Sequence, residues 1–379
     1  MTSKNKDLPM SDSAAESCCG NPQEQEEEIS YVNSAGFLDG TMETVIGQVP
    51  RVKTALTAAD KIGSFKARWG VGRMNYAIAP GLYAVGNPTP EAPVLVSANY
   101  KLSFDSLRKE LGGLDLWILV INTQGINVWC AAGKGTFGTA EIMRMVAKTK
   151  LTALVSHRKL ILPQLGAPGV AAHLTKVESG FRVIYGPVRA GDLPTFLKNN
   201  CKAEPEMRHT TFTLADRLVL TPVEILAVLI PLAGLALLLF LLSSSALLIS
   251  TGQYSLPEAF NRTVFILLPF VAAALAGTIL VPALLPYIPG RALAWKGWVL
   301  GMLLAVALVT SVYSSASWLL KGIYLLTLPA IASFLSLNFT GSTTYTSLSG
   351  VVKEMGVALP VMIISASLGA VALIVSFFI

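Results

Sequence analysis

Charge is distributed along this chain in a way that only a lipid environment explains. Of its 379 residues 52 are charged, and 44 of those lie in Met1–Arg217, leaving eight for Leu218–Ile379. A water-soluble domain of that second length cannot cover its surface with so few charges. The chain therefore reads as a soluble N-terminal part joined to an integral membrane part. Five apolar segments mark the latter: Pro222–Leu242, Val264–Leu285, Trp298–Val312, Leu319–Leu337 and Val357–Phe378. Most approach the roughly 20 residues needed to cross about 30 Å of hydrocarbon. The third is charge-free over a longer stretch, from Gly297 to Leu320.

Lysine and arginine near the span ends set the expected orientation. Lys198, Lys202, Arg208, Arg217, Arg291, Lys296 and Lys353 fall on one side, and only Arg262 and Lys321 on the other. The excess places the soluble part in the cytoplasm and the C-terminus outside. Residues 1–35 are polar, rich in Glu and Ser, and lack the apolar core of a signal peptide, so a disordered tail is expected there. Residues 36–200 form the soluble domain in this reading, 201–216 a linker and 217–379 the membrane domain. Glu224 and Lys321 sit near span starts, where they reach the interface. Ionisable residues inside the spans are otherwise few, which argues against a transport pathway.

The soluble part carries a small positive excess spread along the chain. It shows no basic stripe with interleaved aromatics, so nucleic acid is not an expected partner. Cys18, Cys19, Cys130 and Cys201 are too few and too scattered for a disulfide framework. Leu116–Ile121 is a continuous apolar run, as in a strand buried on both faces. Ala153–Ser156 and Phe181–Tyr185 read as further strands. Ala140–Lys150 has helical period, with Thr139 as N-cap and Ile142, Met143, Val146 and Ala147 on its apolar face. Phe104–Leu111 reads as a helix capped by Ser103 and stopped by Gly112-Gly113. Strands alternating with helices predict a mixed α/β domain with a mostly parallel sheet, whose ligands bind beyond the strand carboxyl ends.

The stretch Asn122–Thr139, NTQGINVWCAAGKGTFGT, follows the strongest of these strands. Asn127 is placed to cap a short helix starting at Val128, with Cys130 in its first turn, where the helix dipole favours a thiolate. Lys134 lies four residues on, on the same face. Ala131, Ala132 and Gly133 would let a flat, large group approach the backbone. A cysteine in such a place is either an activated thiol or a small apolar filler. Gly133-Lys-Gly-Thr136 hints at phosphate binding but lacks the spacing of a P-loop.

Asn127-Val-Trp-Cys-Ala-Ala-Gly-Lys134 resembles, at every position, the N-(V/I)-W-C-A-(A/G)-G-K signature of the membrane-bound corrinoid proteins of bacterial and archaeal mercury methylation. Ser156–Gly169 and Tyr185–Arg189 also resemble that family. They are shared more widely with the corrinoid iron–sulfur protein of the acetyl-CoA pathway. The resemblance spans roughly Val96–Ile379. It implies an α/β Rossmann-like corrinoid-binding domain followed by an all-α transmembrane domain of five helices. It implies a cobalamin-type cobalt corrinoid whose methyl group is handed to Hg(II), giving methylmercury at the cytoplasmic membrane.

In that family Cys130 is the catalytic residue and the lower axial ligand of cobalt. His157, His173 and His209 are the only histidines, and none stands in the D-x-H-x-x-G motif of common cobalamin domains. A thiolate is a soft, strongly donating ligand. Hg(II) is an electrophile and must take the methyl as a carbanion or radical equivalent, a direction that donation from sulfur favours. Implied corrinoid contacts are Thr123, Asn127, Val128, Trp129, Cys130, Ala131, Ala132, Gly133 and Lys134, with Gln164, Gly166 and Gly169 in a second loop; Asn122 is a further candidate and Trp129 an alternative packing residue. Cys18, Cys19 and Cys201 are candidate mercury-binding thiols or idle ones. Implied partners are a ferredoxin-like reductant with two 4Fe–4S clusters and a methyl-donor methyltransferase. The rival readings are a corrinoid methyl carrier of one-carbon metabolism and a membrane transporter or sensor with a soluble ligand-binding domain.

Overall fold

The computed structural model describes residues 36–342 and 348–378. The tail expected over 1–35, with Cys18 and Cys19, lies outside the described residues. The chain packs as two units, Met1–Thr54 with Met74–Tyr185, and Ala55–Arg73 with Gly186–Ile379. In chain order the elements up to residue 185 are β1 (Leu38–Thr44), β2 (Gly47–Val52), α1 (Ala58–Arg68), β3 (Gly81–Val85), β4 (Val94–Ala98), α2 (Lys101–Arg108), β5 (Leu116–Ile121), α3 (Val128–Lys134), α4 (Thr139–Lys148), α5 (Leu151–Leu154), β6 (Lys159–Leu162), α6 (Ala172–Ser179) and β7 (Arg182–Tyr185). Of these α1 belongs to the second unit.

The first unit is built on one mixed seven-stranded sheet of order β1-β2-β3-β5-β4-β6-β7. Strands β5, β4, β6 and β7 run parallel, β3 is antiparallel to β5, and β1 and β2 form an antiparallel pair. Every residue of β4 and β5 is buried, as continuous apolar runs covered on both faces must be. From β4 the chain steps to β5 on one side. It then crosses to β6 on the other. The carboxyl ends of all four parallel strands open on one edge, and ligands of open α/β sheets bind beyond that edge at such a reversal.

Three local expectations change. The strand expected at Ala153–Ser156 is absent, because Leu151–Leu154 closes as one helical turn with Leu151 and Leu154 buried, and the strand lies instead at Lys159–Leu162. Helix α2 starts at Lys101, directly after β4, so Ser103 is inside it and not its cap. The reason is a buried ionic cluster. Lys101 Nζ lies 2.6 and 2.5 Å from the two Asp105 oxygens, and Arg108 Nε donates to Asp105 Oδ1 at 2.7 Å. These three side chains meet only when all are helical at i, i+4 and i+7. Helix α4 has Gly138 as N-cap, and Thr139 uses its hydroxyl oxygen to accept from Ala171 N at 2.8 Å. Its buried face is Ile142, Met145 and Val146.

The second unit continues with α7 (Leu193–Lys198), α8 (Leu214–Leu218), α9 (Thr221–Thr251), α10 (Leu256–Leu275), a π turn over Ala276–Leu280, α11 (Val281–Leu284), α12 (Leu293–Thr310), α13 (Trp318–Asn338) and α14 (Leu348–Val375). Among the described residues five helices are long and apolar enough to cross a membrane, and each overlaps one of the five segments expected, although the segments ending at Leu285, Val312 and Phe378 run past the ends of their helices. Helices α12 and α13 approach closely through Gly297 and Gly301, where an added Cβ would stand 2.5 Å from Ala332 O and 2.7 Å from Pro329 Cα. Small residues at a four-residue spacing are what allow such contact between apolar helices. Ser333 and Ser336 of α13 donate to Ala294 O and Leu293 O across it, at 2.7 and 2.9 Å.

The strand ends of the first unit are fixed by one carboxamide. Asn99, fully buried at the end of β4, accepts at Oδ1 from Thr123 N (3.0 Å) and Gly125 N (3.0 Å) in the turn after β5. Thr123 Oγ1 lies 2.9 Å from the same oxygen and 2.7 Å from Ile126 O, acceptors for its single proton. Losing a partner of a buried donor costs about 1–3 kcal/mol. Asn99→Ala should therefore destabilise the first unit by about 3 kcal/mol. Thr123→Val, which removes one hydroxyl and keeps the shape, should cost about 1 kcal/mol. Thermal unfolding of the full chain in detergent, followed by near-ultraviolet circular dichroism, measures both. The reverse order would refute this role for Asn99.

Candidate functional site

The turn held by Asn99 leads directly into α3. Gln124 and Gly125 adopt left-handed backbone, φ +56° and +68°, which folds the chain back sharply after β5. Asn122 Oδ1 supports the turn by accepting from Gln124 N at 3.0 Å. Asn122 N in turn donates to Glu141 Oε1 at 2.8 Å, and Arg144 clamps the same carboxylate through Nε and Nη2. The first turn of α4 is thereby tied to the end of β5. A Cβ on Gly125 would press to 3.3 Å from Met74 O, so the turn also seats against the strand-free segment before β3.

Asn127 caps α3, its side chain accepting from Cys130 N at 2.9 Å, and Gly135 ends the helix at φ +82°. Cys130 thus stands in the first helical turn, half-buried and in no disulfide. The helix has two unlike faces. Ala131 and Ala132 are buried, whereas Trp129, Gly133 and Lys134 are exposed. Trp129 keeps 37% of its surface in solvent, so it is not a core residue. An added Cβ on Gly133 would meet nothing within 4 Å. Residues 129, 130, 133 and 134 share one side of the helix, and that side presents an indole, a thiol, a bare backbone patch and an ammonium group.

The inner face packs on the 3-10 turn Gln164–Gly169, which follows β6. An added Cβ on Gly166 would stand 2.5 Å from the Phe137 ring, and one on Gly169 would collide with Phe137 O and stand 3.0 Å from Ala132 Cα. These glycines let the two loops touch. Tyr185, at the end of β7, donates to Val170 O at 2.9 Å just beyond this turn. Burial pushes its phenol above the ordinary tyrosine range, so it stays a donor. The structure therefore brings the motif helix and the expected second loop together at the strand carboxyl ends.

Several expected ligand contacts acquire a different place. Thr123, Ala131 and Ala132 are buried, with Thr123 and Ala131 at zero exposure, so they hold the loop and helix and do not face outward. Gly166 is likewise taken up in packing against Phe137. Val128 and Asn127 are half-buried at the start of α3. His157 lies at the opposite edge of the sheet, with Nε2 2.9 Å from Ala92 O and Nδ1 accepting from Lys159 N. His173 is exposed in the first turn of α6. His209 and Cys201 belong to the second unit. Among the described residues no three His, Cys, Asp or Glu side chains gather as a metal cluster.

Asn99 and Phe137 were not singled out from sequence, although they set the position of α3. Val94–Ala98 is an apolar run like that of β5, broken only by Ser97. Reading it as a strand would have put Asn99 at its carboxyl end, beside the turn.

Residues 72–197 match the sequence model of a family described as the CO dehydrogenase/acetyl-CoA synthase delta subunit. Among curated relatives, the acetyl-CoA decarbonylase/synthase complex subunit gamma of Archaeoglobus fulgidus is 32% identical over 128 residues, which is 32% of this chain and 26% of the relative. Subunit gamma 2 of Methanosarcina mazei is 31% identical over 135 residues, 34% of this chain and 28% of the relative. The gamma subunit of Methanopyrus kandleri is 30% identical over 123 residues, with shares of 32% and 26%. The chain thus spans about a quarter of the length of the relatives it matches. The matched stretch contains β3 to β7 and both loops of the candidate site, and none of the five long apolar helices.

Proposed function

We propose that the first unit is a Rossmann-like domain that binds a cobalamin-type cobalt corrinoid, and that the protein is a membrane-anchored methyltransferase with Hg(II) as methyl acceptor. The observation that carries this is the outward face of α3. It offers one soft donor, Cys130, beside a bare backbone patch at Gly133, on a helix standing at the strand carboxyl ends. A planar macrocycle needs such a flat clearing, and cobalt such a donor. The donor set fits the group. When bound, the corrinoid supplies the methyl group.

The chain's own residues do the rest. Cys130 would hold the cobalt through its thiolate sulfur and so act as the catalytic residue. Asn127 orients the first turn through its bond to Cys130 N, which keeps the sulfur in place. Trp129, Gly133 and Lys134 form the contact face, with Gln164 on the neighbouring turn. Thr123, Val128, Ala131, Ala132 and Gly166 position α3. In this reading a separate ferredoxin-like reductant with two 4Fe–4S clusters and a methyl-donor methyltransferase complete the cycle. The five helices span the cytoplasmic membrane with the first unit inside and the C-terminus outside.

A second reading has support from the comparisons. Relatives named as subunits of an acetyl-CoA decarbonylase/synthase complex favour a methyl carrier of one-carbon metabolism. Anaerobic assay of the full-length protein with reductant, corrinoid and methyl donor, with Hg(II) added or left out, separates the two. Methylmercury formation supports the first reading. Loading with methyl but no transfer to Hg(II) supports the second.

Anaerobic purification with added cobalamin should give about one cobalt per chain and corrin absorption bands. Cys130→Ala should abolish methylation of Hg(II) and alter those bands while costing only about 1 kcal/mol of stability. Unchanged spectra and near-normal activity would return Cys130 to a packing role. Gly133→Val adds a side chain where the protein has open space. It should leave unfolding unchanged within about 0.5 kcal/mol yet lower cobalt occupancy; full occupancy would show that the patch is not the approach surface. A reporter fused after Ile379 should be active only in its exported form, and a cytoplasmic signal would reverse the orientation.

A further inference from the structure

Helix α1 comes from the middle of the soluble-looking sequence, yet it clusters with the long apolar helices. Its start is secured by a capping box. Thr57 accepts from Asp60 N at 3.2 Å, and Asp60 Oδ2 accepts from Thr57 N at 2.9 Å. At 3.6 residues per turn, Ile62, Phe65 and Trp69 fall within about 60° of arc. Asp60 and Ala67, the buried pair, fall on the opposite side. The apolar stripe therefore points away from the protein. Ile62 is 56% exposed and Phe65 62%, and the Phe65 and Trp69 rings lie 5.9 Å apart. Lys61 and Arg68 border the stripe on one side and Lys66 on the other.

The end of α1 is tied to the beginning of α9, the first span. A Cβ on Gly70 would touch Leu226 Cδ1 at 3.5 Å, and Arg73 lies within electrostatic reach of Glu224. Leu226 and Glu224 are in the first turns of α9. The helix is thus held beside the first turns of that candidate span.

We propose that α1 lies in the membrane surface, with Ile62, Phe65 and Trp69 inserted at the acyl boundary and Lys61, Lys66 and Arg68 on anionic headgroups. An outward apolar stripe flanked by cations is the arrangement that seats a helix in the interface plane. Tryptophan and basic residues favour the same level. A capped helix is already formed before it meets lipid, so insertion carries little ordering cost. The surface binds lipid and no further protein.

Full-length protein in vesicles of phosphatidylcholine and phosphatidylglycerol, carrying a phospholipid with a diazirine in its acyl chain, tests this. After photolysis and digestion, adducts are expected on the peptides between Lys61 and Arg73 and on α9, and not on α4. Ile62→Ser with Phe65→Ser should lower the α1 adducts by about fivefold or more and leave those of α9 unchanged. Both positions are exposed and lie off the capping box, so the variant retains its fold. Labelled spans with an unlabelled α1 in the unaltered protein would overturn the proposal, as would α1 adducts that persist in the double variant.

Discussion

The candidate site depends on a single buried acceptor. Asn99 Oδ1 faces two backbone donors and one hydroxyl of the turn after β5. Two of the three groups belong to a backbone that turns through left-handed conformations and makes no ladder bonds there. A buried N–H without a partner is costly, so this turn can be buried only where a side chain supplies the acceptor. Asn99 stands at the end of β4, the strand next to β5, and so converts the sheet's register into the position of the loop. Glu141 does the same from the other side, fixing α4 to the end of β5. Helix α3 is too short to be stable alone. It holds its place between these two ties and the glycines of the Gln164–Gly169 turn.

This construction separates packed from exposed residues within seven positions. The alanines and the neighbouring glycines are used where helix and turn must touch, and their value is small volume. Gly133 has the same lack of a side chain, but it faces open space. The motif therefore contains small residues for two unlike reasons, which composition alone does not distinguish. Only the burial pattern assigns Ala131 and Ala132 to packing and Gly133 to access.

How far the sequence could be read followed the physics of each element. β5 was legible because six apolar residues in a row admit little but a strand covered on both faces. The cap at Asn127 and the first-turn place of Cys130 were legible because capping is local chemistry, settled within four residues. The turn at Leu151–Leu154 was misread because a short apolar run carries no period. The start of α2 was missed because it depends on a buried ionic cluster, Lys101 with Asp105 and Arg108, and such charges read as surface in a sequence. The hairpin β1–β2 and strand β3 lack a strong alternation. Helix α1 was invisible for a different reason. Its apolar stripe has only three members, and its meaning lies in pointing outward, which no sequence pattern shows.

Three charged side chains of the second unit serve the ends of helices. Arg217 donates to Pro282 O and Ala283 O, at 3.0 and 2.7 Å, and Lys296 to Leu285 O and Ile288 O, at 2.6 and 2.7 Å. Pro282 and Ala283 belong to α11 and Leu285 and Ile288 to the turn that follows it, where a helix end leaves acceptors unpaired. Glu354 of α14 accepts from Ala294 N at the start of α12, the complementary service at a helix beginning that has no side-chain cap of its own. Without water to satisfy them, such groups must find partners inside the protein. Charged residues used this way close helix ends at the turn between α11 and α12. Under the proposed reading the spans anchor the protein, and the chemistry belongs to the edge of the sheet where α3 stands.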